Sequence, residues 1–345
     1  LAPGPTSALV YSAHSAPRQT PPEPGHDPLL VRRDTRDADE LAACLRDWNQ
    51  VYEQLAPGRF EGRFVECRLP DIQVFRERTN QPLYEAGLVR PGWHVVGVPV
   101  HVGGDGHCGG LPIRADGIVS MRGGNELDCR APADFDIVAA SIPQHVLHDH
   151  AHLVEHCDFD RVVPPTTVIE ADPVHTHALR TLLLSVLDVA AHAPEQLRQS
   201  AARRSLQQRL LASVVRALAH PSDVEREPPP SASARHTLVA RAQAYMRAHV
   251  DEPLSIEDLC RALQVSRRTL QYSFQEVLQV NPVRYLRTLR LNGVRRTLRS
   301  TQPQASVHDI AARWGFWHMS RFADDYRRMF GELPSQTTRP SNDTR

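Results

Sequence analysis

The sequence predicts an α+β protein, with a β-rich front domain and an all-α back domain. Three observations predict it. Short apolar runs separated by glycine- and proline-bearing turns fill the middle of the front half. Everything from His236 on has helical periodicity. The net charge of zero, 40 basic against 40 acidic side chains, is unevenly spread. Residues 1–234 carry 22 Arg and 30 Asp+Glu, a net of −8, and residues 235–345 carry 18 Arg and 10 Asp+Glu, a net of +8. Only the back is suited to a polyanion. Every basic side chain is arginine. Genome composition is the plain source of that bias, although arginine also forks onto phosphate and guanine.

At 345 residues and 41% apolar, the chain is long enough for two cored domains. Residues 1–36 hold seven prolines and few large apolar side chains, and read as a disordered leader. Leu41, Leu45, Trp48, Val51, Tyr52 and Leu55 have helical spacing, predicting a helix from Glu40 to about Leu55. The runs Phe60–Leu69, Ile72–Phe75, Trp93–Val100, Gly117–Met121 and Phe135–Ile142 predict strands of a small barrel or sandwich, within a domain of residues 37–170.

Two helices follow in 171–219, with stripes Leu179, Leu183, Val186, Leu187 and Leu206, Leu210, Val214, Leu218. Packing on the barrel is the simpler use of these stripes. A homodimer face is the alternative. Residues 220–235 contain four prolines and read as a linker to a domain of residues 236–340. No apolar stretch suits a membrane span. The six cysteines form no CxxC pair and no secretory signal opens the chain, so they are expected as reduced thiols in a cytoplasmic protein.

The back domain contains one unit twice. Ser255 with Asp258 and Ser306 with Asp309 are capping-box starts, each followed by a short helix, a turn and a second helix. The anchors pair as Leu259 with Ile310, Leu263 with Trp314, Val265 with Phe316, Leu270 with Phe322 and Phe274 with Tyr326. This is a duplicated helix-turn-helix. Asn281 and Pro282 start a connecting helix that carries Arg284, Arg287, Arg290, Arg295, Arg296 and Arg299 and no acid. Sixteen residues at 1.5 Å make it about 24 Å long. The two second helices then lie about one DNA turn apart, near 34 Å, and enter successive major grooves.

The second copy carries Ile310, Ala311, Trp314, Gly315, Phe316, Ser320, Phe322, Tyr326, Phe330, Gly331 and Pro334. In these residues the chain resembles the AraC/XylS family of transcription regulators. Trp48–Thr79, Met121–Glu126, Ser266–Gln271, Arg290–Arg296 and Gly315–Tyr326 resemble, within that family, the ethanolamine-utilisation operon regulators. The resemblance implies a cupin-like barrel that senses a small molecule, promoter DNA and RNA polymerase as partners, and activation of a catabolic operon. It also implies ethanolamine and adenosylcobalamin as effectors. The alternative keeps the same DNA-binding architecture with a metal-responsive or unrelated sensor.

In the first reading helix Leu270, Phe274 and Val277 share a core face, which turns Arg268, Tyr272 and Gln275 outward with Gln271 on the flank. Arg268 suits guanine, Gln271 suits adenine, and Tyr272 suits a thymine methyl or a phosphate. The family's base-contacting positions fall on Arg268, Gln271 and Tyr272. The expected DNA-facing set adds Arg267, Arg290, Arg296, His318, Met319, Ser320, Arg321 and Arg327. Asp324 and Asp325 place two carboxylates on the second reading helix, which cost affinity unless they accept from a cytosine amino group or pair with Arg321 and Arg328, so most base specificity is expected from the first unit. Gln279 stands where the family usually has glycine.

His148, His152 and His156 would share one face of a continuous helix, a metal-compatible spacing, but a solvated histidine face is the simpler expectation. The spacing of His101 and His107 fails the metal-oxygenase pattern, and no hydrolase, protease or nucleotide-binding motif is present, so no enzyme and no metal site is expected. Effector-binding candidates are Trp93, Arg122 and Glu126, with His94 and Asp128 nearby. Glu126 and the face of Trp93 suit an ammonium group.

Overall fold

The computed structural model describes residues 29–45, 48–163, 167–219, 230–250, 252, 254–300 and 305–338. The chain divides near residue 233 into two compact units. The front unit contains β1 (Leu30–Thr35), α1 (Ala38–Ala42), β2 (Asn49–Gln54), β3 (Gly62–Arg68), β4 (Gln73–Thr79), β5 (Leu83–Leu88) and β6 (Trp93–His101). It continues with β7 (Gly106–Cys108), β8 (Leu111–Ile113), β9 (Ile118–Arg122), β10 (Glu126–Ala131) and β11 (Phe135–Pro143). Then come α2 (Gln144–Leu153), α3 (Phe159–Val162), β12 (Val168–Ile169), α4 (Pro173–His192), α5 (Pro194–Arg198) and α6 (Ser200–Ala219).

The strands form two antiparallel sheets, ordered β1-β3-β4-β11-β6-β9-β12 and β2-β5-β10-β7-β8. Their alternation makes two cores. One cluster joins both sheets through Tyr52, Phe64, Phe75, Val95, Leu127 and Phe135. A second joins the other face of the larger sheet, with Val74, Val98, Val138 and Ile142, to the helices through Leu179, Leu183, Val186, Leu210, Val214 and Leu218. Each such burial is worth roughly 2 kcal/mol.

Several expectations are corrected. The helix of Glu40–Leu55 ends early: α1 stops at Ala42, and Asn49–Gln54 pair with β5 as a strand. Trp48, Tyr52 and similar spacings fit both periods, and the free edge of β5 decides for the strand. The last residues of the supposed leader form β1, whose Val31 and Arg33 sit opposite Glu66 and Phe64 of β3; residues 1–28 lie outside the described residues. The stripes of α4 and α6 are spent in the unit's own core, which removes them as a dimer face. Of the supposed linker, 220–229 lie outside the described residues and Pro230 opens a helix. Cys108 and Cys129 face each other across β7 and β10 and are joined in a disulfide, against the expectation of six reduced thiols.

The back unit consists of α7 (Pro230–Ala248), α8 (Ile256–Leu263), α9 (Arg267–Leu278), α10 (Pro282–Ser300), α11 (Val307–Arg313), α12 (Met319–Phe330) and α13 (Pro334–Thr337). Both capping boxes form: Ser255 Oγ accepts from the Asp258 amide and Ser306 Oγ from the Asp309 amide, while each aspartate accepts from the serine amide. The serine hydrogen bonds hold both aspartates below their usual pKa.

At 19 residues α10 is about 28 Å long. Leu270 and Phe274 of α9, Tyr285 of α10, and Phe322 and Tyr326 of α12 are buried in this unit. The Tyr285 hydroxyl accepts from Gln243 and Arg247 at 3.0 Å each, tying α7 to α10. Trp314, which follows α11, lies against Gly293 of α10, where a Cβ would sit 2.2 Å from the indole ring. Its Nε1 donates to Thr297 Oγ1 at 3.1 Å. Gln279 ends α9 at φ 55°, the left-handed region in which a side chain costs about 1 kcal/mol against glycine.

Two opposite outcomes are expected in urea unfolding followed by circular dichroism. Gly293→Ala destabilises the back unit by about 1–3 kcal/mol, because the rigid indole has to move. Gln279→Gly stabilises it by about 0.5–1 kcal/mol.

Candidate functional site

Ser266 caps α9 by accepting from the Thr269 amide at 3.1 Å, which sets where the helix begins. Leu270, Ser273, Phe274 and Leu278 are buried, so Arg268, Gln271, Tyr272 and Gln275 are left exposed as the alternation predicts. Tyr272 is 54% exposed, with the Arg235 guanidinium 5.6 Å from its ring. Arg267 is 3.5 Å from Glu257, both largely exposed, a pair that solvent screens and a phosphate can displace. Val277, expected in the core, is only half-buried.

On α12 the buried side is Phe322, Asp325 and Tyr326, leaving Ser320, Arg321, Asp324 and Arg327 exposed. His318 is exposed and Met319 half-buried. Burial pushes the Tyr326 phenol up to about 12, and its hydroxyl lies 2.8 Å from Thr337 Oγ1. Asp325 is buried and bonded to Arg287 of α10 and to Arg328, the second being one of the pairings the sequence offered. One carboxylate, Asp324, is left on the exposed side. The sequence reading missed Trp317, which stands 70% exposed just ahead of α12. Its signal was an aromatic beside a turn and outside the core periodicity.

The basic connector is also corrected. Arg290 donates from Nε to the Val250 carbonyl at 2.9 Å and from Nη2 to the Glu252 carbonyl, holding the segment before α8. Arg295 is buried against Glu332 at 2.7 Å, and Arg287 is committed to Asp325. Three of the six arginines therefore assemble the unit. Arg284 and Arg299 are exposed and Arg296 half-buried. Sequence periodicity sees charge and no acid on this helix; the carbonyls and acids that meet it come from elsewhere in the chain.

Residues 259–340 match the family model of a helix-turn-helix domain. The chain is 39% identical over 103 residues to a probable thc operon regulatory protein of Rhodococcus erythropolis, covering 30% of this chain and 31% of that one. It is 35% identical over 98 residues to XylDLEGF operon transcriptional activator 2 of Pseudomonas putida, covering 28% of this chain and 62% of that one. The last third of the chain is a helix-turn-helix domain. A solved AraC-type regulator from Chromobacterium violaceum is 31% identical, covering 31% of this chain and 93% of that one with a TM-score of 0.29, which adds nothing to the argument. The likeness spans less than two thirds of each of these two curated relatives and leaves the front unit unaddressed.

Outside the helix-turn-helix domain, the front unit holds a cavity of about 60 Å³ between its two sheets. Its walls include Trp48, Tyr52, Phe75, Met121 and Phe135, and among the described residues its acids are Glu77 of β4 and Glu85 of β5. The Tyr52 hydroxyl donates to Glu77 Oε2 at 3.2 Å, and Tyr52 is the cross-strand partner of Glu85. Burial raises the Glu77 carboxyl well above its usual range, and the neighbouring Glu85 raises it further. Burial raises Glu85 to about 8. The Tyr52 phenol is raised by burial first and by Glu77 second.

The effector candidates read from sequence do not line this cavity. Trp93 carries the Arg90 guanidinium 4.2 Å from its ring, Arg122 pairs with Asp160 at 2.8 Å, Glu126 is exposed and Asp128 half-buried. His94 is buried, 2.9 Å from Ser120 Oγ, and burial lowers it to about 4. The histidine face is corrected as well: α2 ends at Leu153, and His156 lies beyond it at φ 53°. Among the described residues no three His, Cys, Asp or Glu side chains are placed to hold a metal, and no helix is long and apolar enough to cross a membrane.

The carboxyl groups make the front unit's stability fall on the alkaline side. A folded-state pKa raised from 4.5 to about 8 stabilises fully below the unfolded value and is lost as pH rises through about 8. The midpoint of thermal unfolding is therefore expected to drop between pH 6.5 and 9, and Glu85→Gln, neutral at every pH, is expected to flatten that drop.

Proposed function

We propose that the chain is a transcriptional regulator that binds promoter DNA through α9 and α12 and answers to a small molecule held by the front unit. The single observation that carries the reading is the pair of amphipathic helices α9 and α12 joined through α10, each keeping its polar side exposed while its apolar side is buried. The finer roles follow from this placement. Arg268, Gln271, Tyr272 and Gln275 read bases, while Arg267, Arg321, Arg327, His318 and Ser320 position the backbone, and the half-buried Arg296 and Met319 add to that positioning.

Unequal effector affinity for two arrangements of the protein supplies the switch. Activation of a catabolic operon, RNA polymerase as a partner and work in the cytoplasm extend the same reading, supported by the activator named among the relatives. Ethanolamine as effector rests on the sequence resemblance. Adenosylcobalamin is far too large for a cavity of about 60 Å³. A homodimer needs a surface other than the stripes of α4 and α6.

The test is a gel-shift titration of the full chain on duplexes selected from a random pool, repeated at several salt concentrations. Arg268→Ala is expected to cost about 1–3 kcal/mol and relax specificity at one base pair. Arg327→Ala is expected to weaken all duplexes alike and lower the salt slope by about 1. Discrimination lost more at Ser320→Ala than at Arg268→Ala refutes the assignment of base reading mainly to α9. No salt-sensitive, sequence-preferring retention refutes the function.

A further inference from the structure

We propose that the cavity of the front unit binds a compact organic cation, an ammonium group on a small apolar body, held between the Glu77 and Glu85 carboxylates and the surrounding aromatic rings. The proposal deepens, and rests on, the reading of this unit as an effector sensor. It starts from an imbalance. Two carboxyl groups share one apolar enclosure, and among the described residues no arginine or histidine lines it. Glu66, on the neighbouring strand β3 and equally buried, shows what the fold does with a buried acid that needs no ligand. It accepts from Arg68 at 2.9 Å and from Gln73. Among the described residues Glu77 has only the neutral Tyr52 hydroxyl, although it is 6% exposed. A buried carboxylate is costly until a positive charge joins it, so the empty site favours the protonated acid and a cation converts it to the charged form.

The walls decide what kind of cation. Trp48, Tyr52, Phe75 and Phe135 surround the acids, and aromatic faces attract ammonium groups while offering nothing to a hydrated metal ion that needs oxygen ligands. Two carboxylates without a third ligand fall short of a metal site among the described residues. The Trp48 indole N–H and the Gln50 amide oxygen also line the cavity, out of contact with solvent and without a hydrogen-bond partner. They offer one donor and one acceptor to whatever the acids hold. Size sets the scale: about 60 Å³, at about 10–15 Å³ for each water-sized centre, holds about four to six non-hydrogen atoms. An anion meets two acids here, and an uncharged sugar leaves them uncompensated.

Binding must then expel protons. Among the described residues the titratable groups facing the pair are each other, the Tyr52 phenol on β2 and the Cys44 thiol just after α1. Burial holds the phenol and the thiol protonated at neutral pH, so the protons released come from the two carboxyl groups.

The experiment is isothermal titration calorimetry of the full chain with tetramethylammonium and ethylammonium chlorides. The comparison ligands are tert-butanol, acetate and magnesium chloride. Runs at pH 6 and pH 8.5 use buffers of different ionisation enthalpy. Saturable binding of an organic cation is expected, at least tenfold tighter than any comparison ligand, with proton release and at least threefold tighter affinity at pH 8.5. Glu77→Gln and Glu85→Gln are each expected to weaken it at least tenfold. Proton release by the unmutated protein keeps the test decisive if a variant fails to fold. Binding of acetate, tert-butanol or magnesium at equal strength, or of no ligand at all, overturns the proposal.

A parallel gel shift separates this from the wider reading. Cation binding that leaves DNA retention and promoter output unchanged keeps the site and refutes the effector role. A promoter response to uncharged or anionic metabolites alone keeps the effector role and refutes the cation.

Discussion

The close approach of Trp314 to Gly293 is the contact on which the back unit depends. A helix that packs a second unit against its side at this distance has no room for a Cβ, so the connector carries a glycine mid-helix despite a cost of about 1 kcal/mol against alanine. The indole then reaches Thr297 on the same helix with its one donor. With α11 seated this way, Asp325 of α12 bonds Arg287 of α10, and Arg295 bonds Glu332. The orientation of the second reading helix is thus a property of α10. Arginines that look like a DNA-facing stripe are instead the means by which α10 holds its neighbours.

The front unit follows a different rule. Its larger sheet has apolar residues on both faces, because one face closes the cavity side and the other carries α4 and α6. That demand consumes the helical stripes that otherwise resemble an association surface. It also concentrates the unit's unusual chemistry inside. The buried Asp136 has Arg76 at 2.6 Å, while Glu77 and Glu85 face a cavity. A fold that leaves such a pair unbalanced stores a preference for positive charge at that point.

With β5 and β10 unread, the sequence alone determined the duplicated unit, its capping boxes, the reading-helix faces and the strands β3, β4, β6, β9 and β11. These are local: a serine reaches an amide three residues on, and a helix repeats its face every 3.6 residues, whatever the rest of the chain does. Tertiary structure decided the strand at Asn49–Gln54, the pairing of β1, the inward turn of Arg287, Arg290 and Arg295, and the cavity acids. Glu77 and Glu85 sit on different strands in different sheets, and nothing in their neighbours' identities says that both turn to one enclosure. Whether a charge faces solvent or a partner depends on which distant segment arrives beside it, and that is settled only when the sheets close and the helices pack.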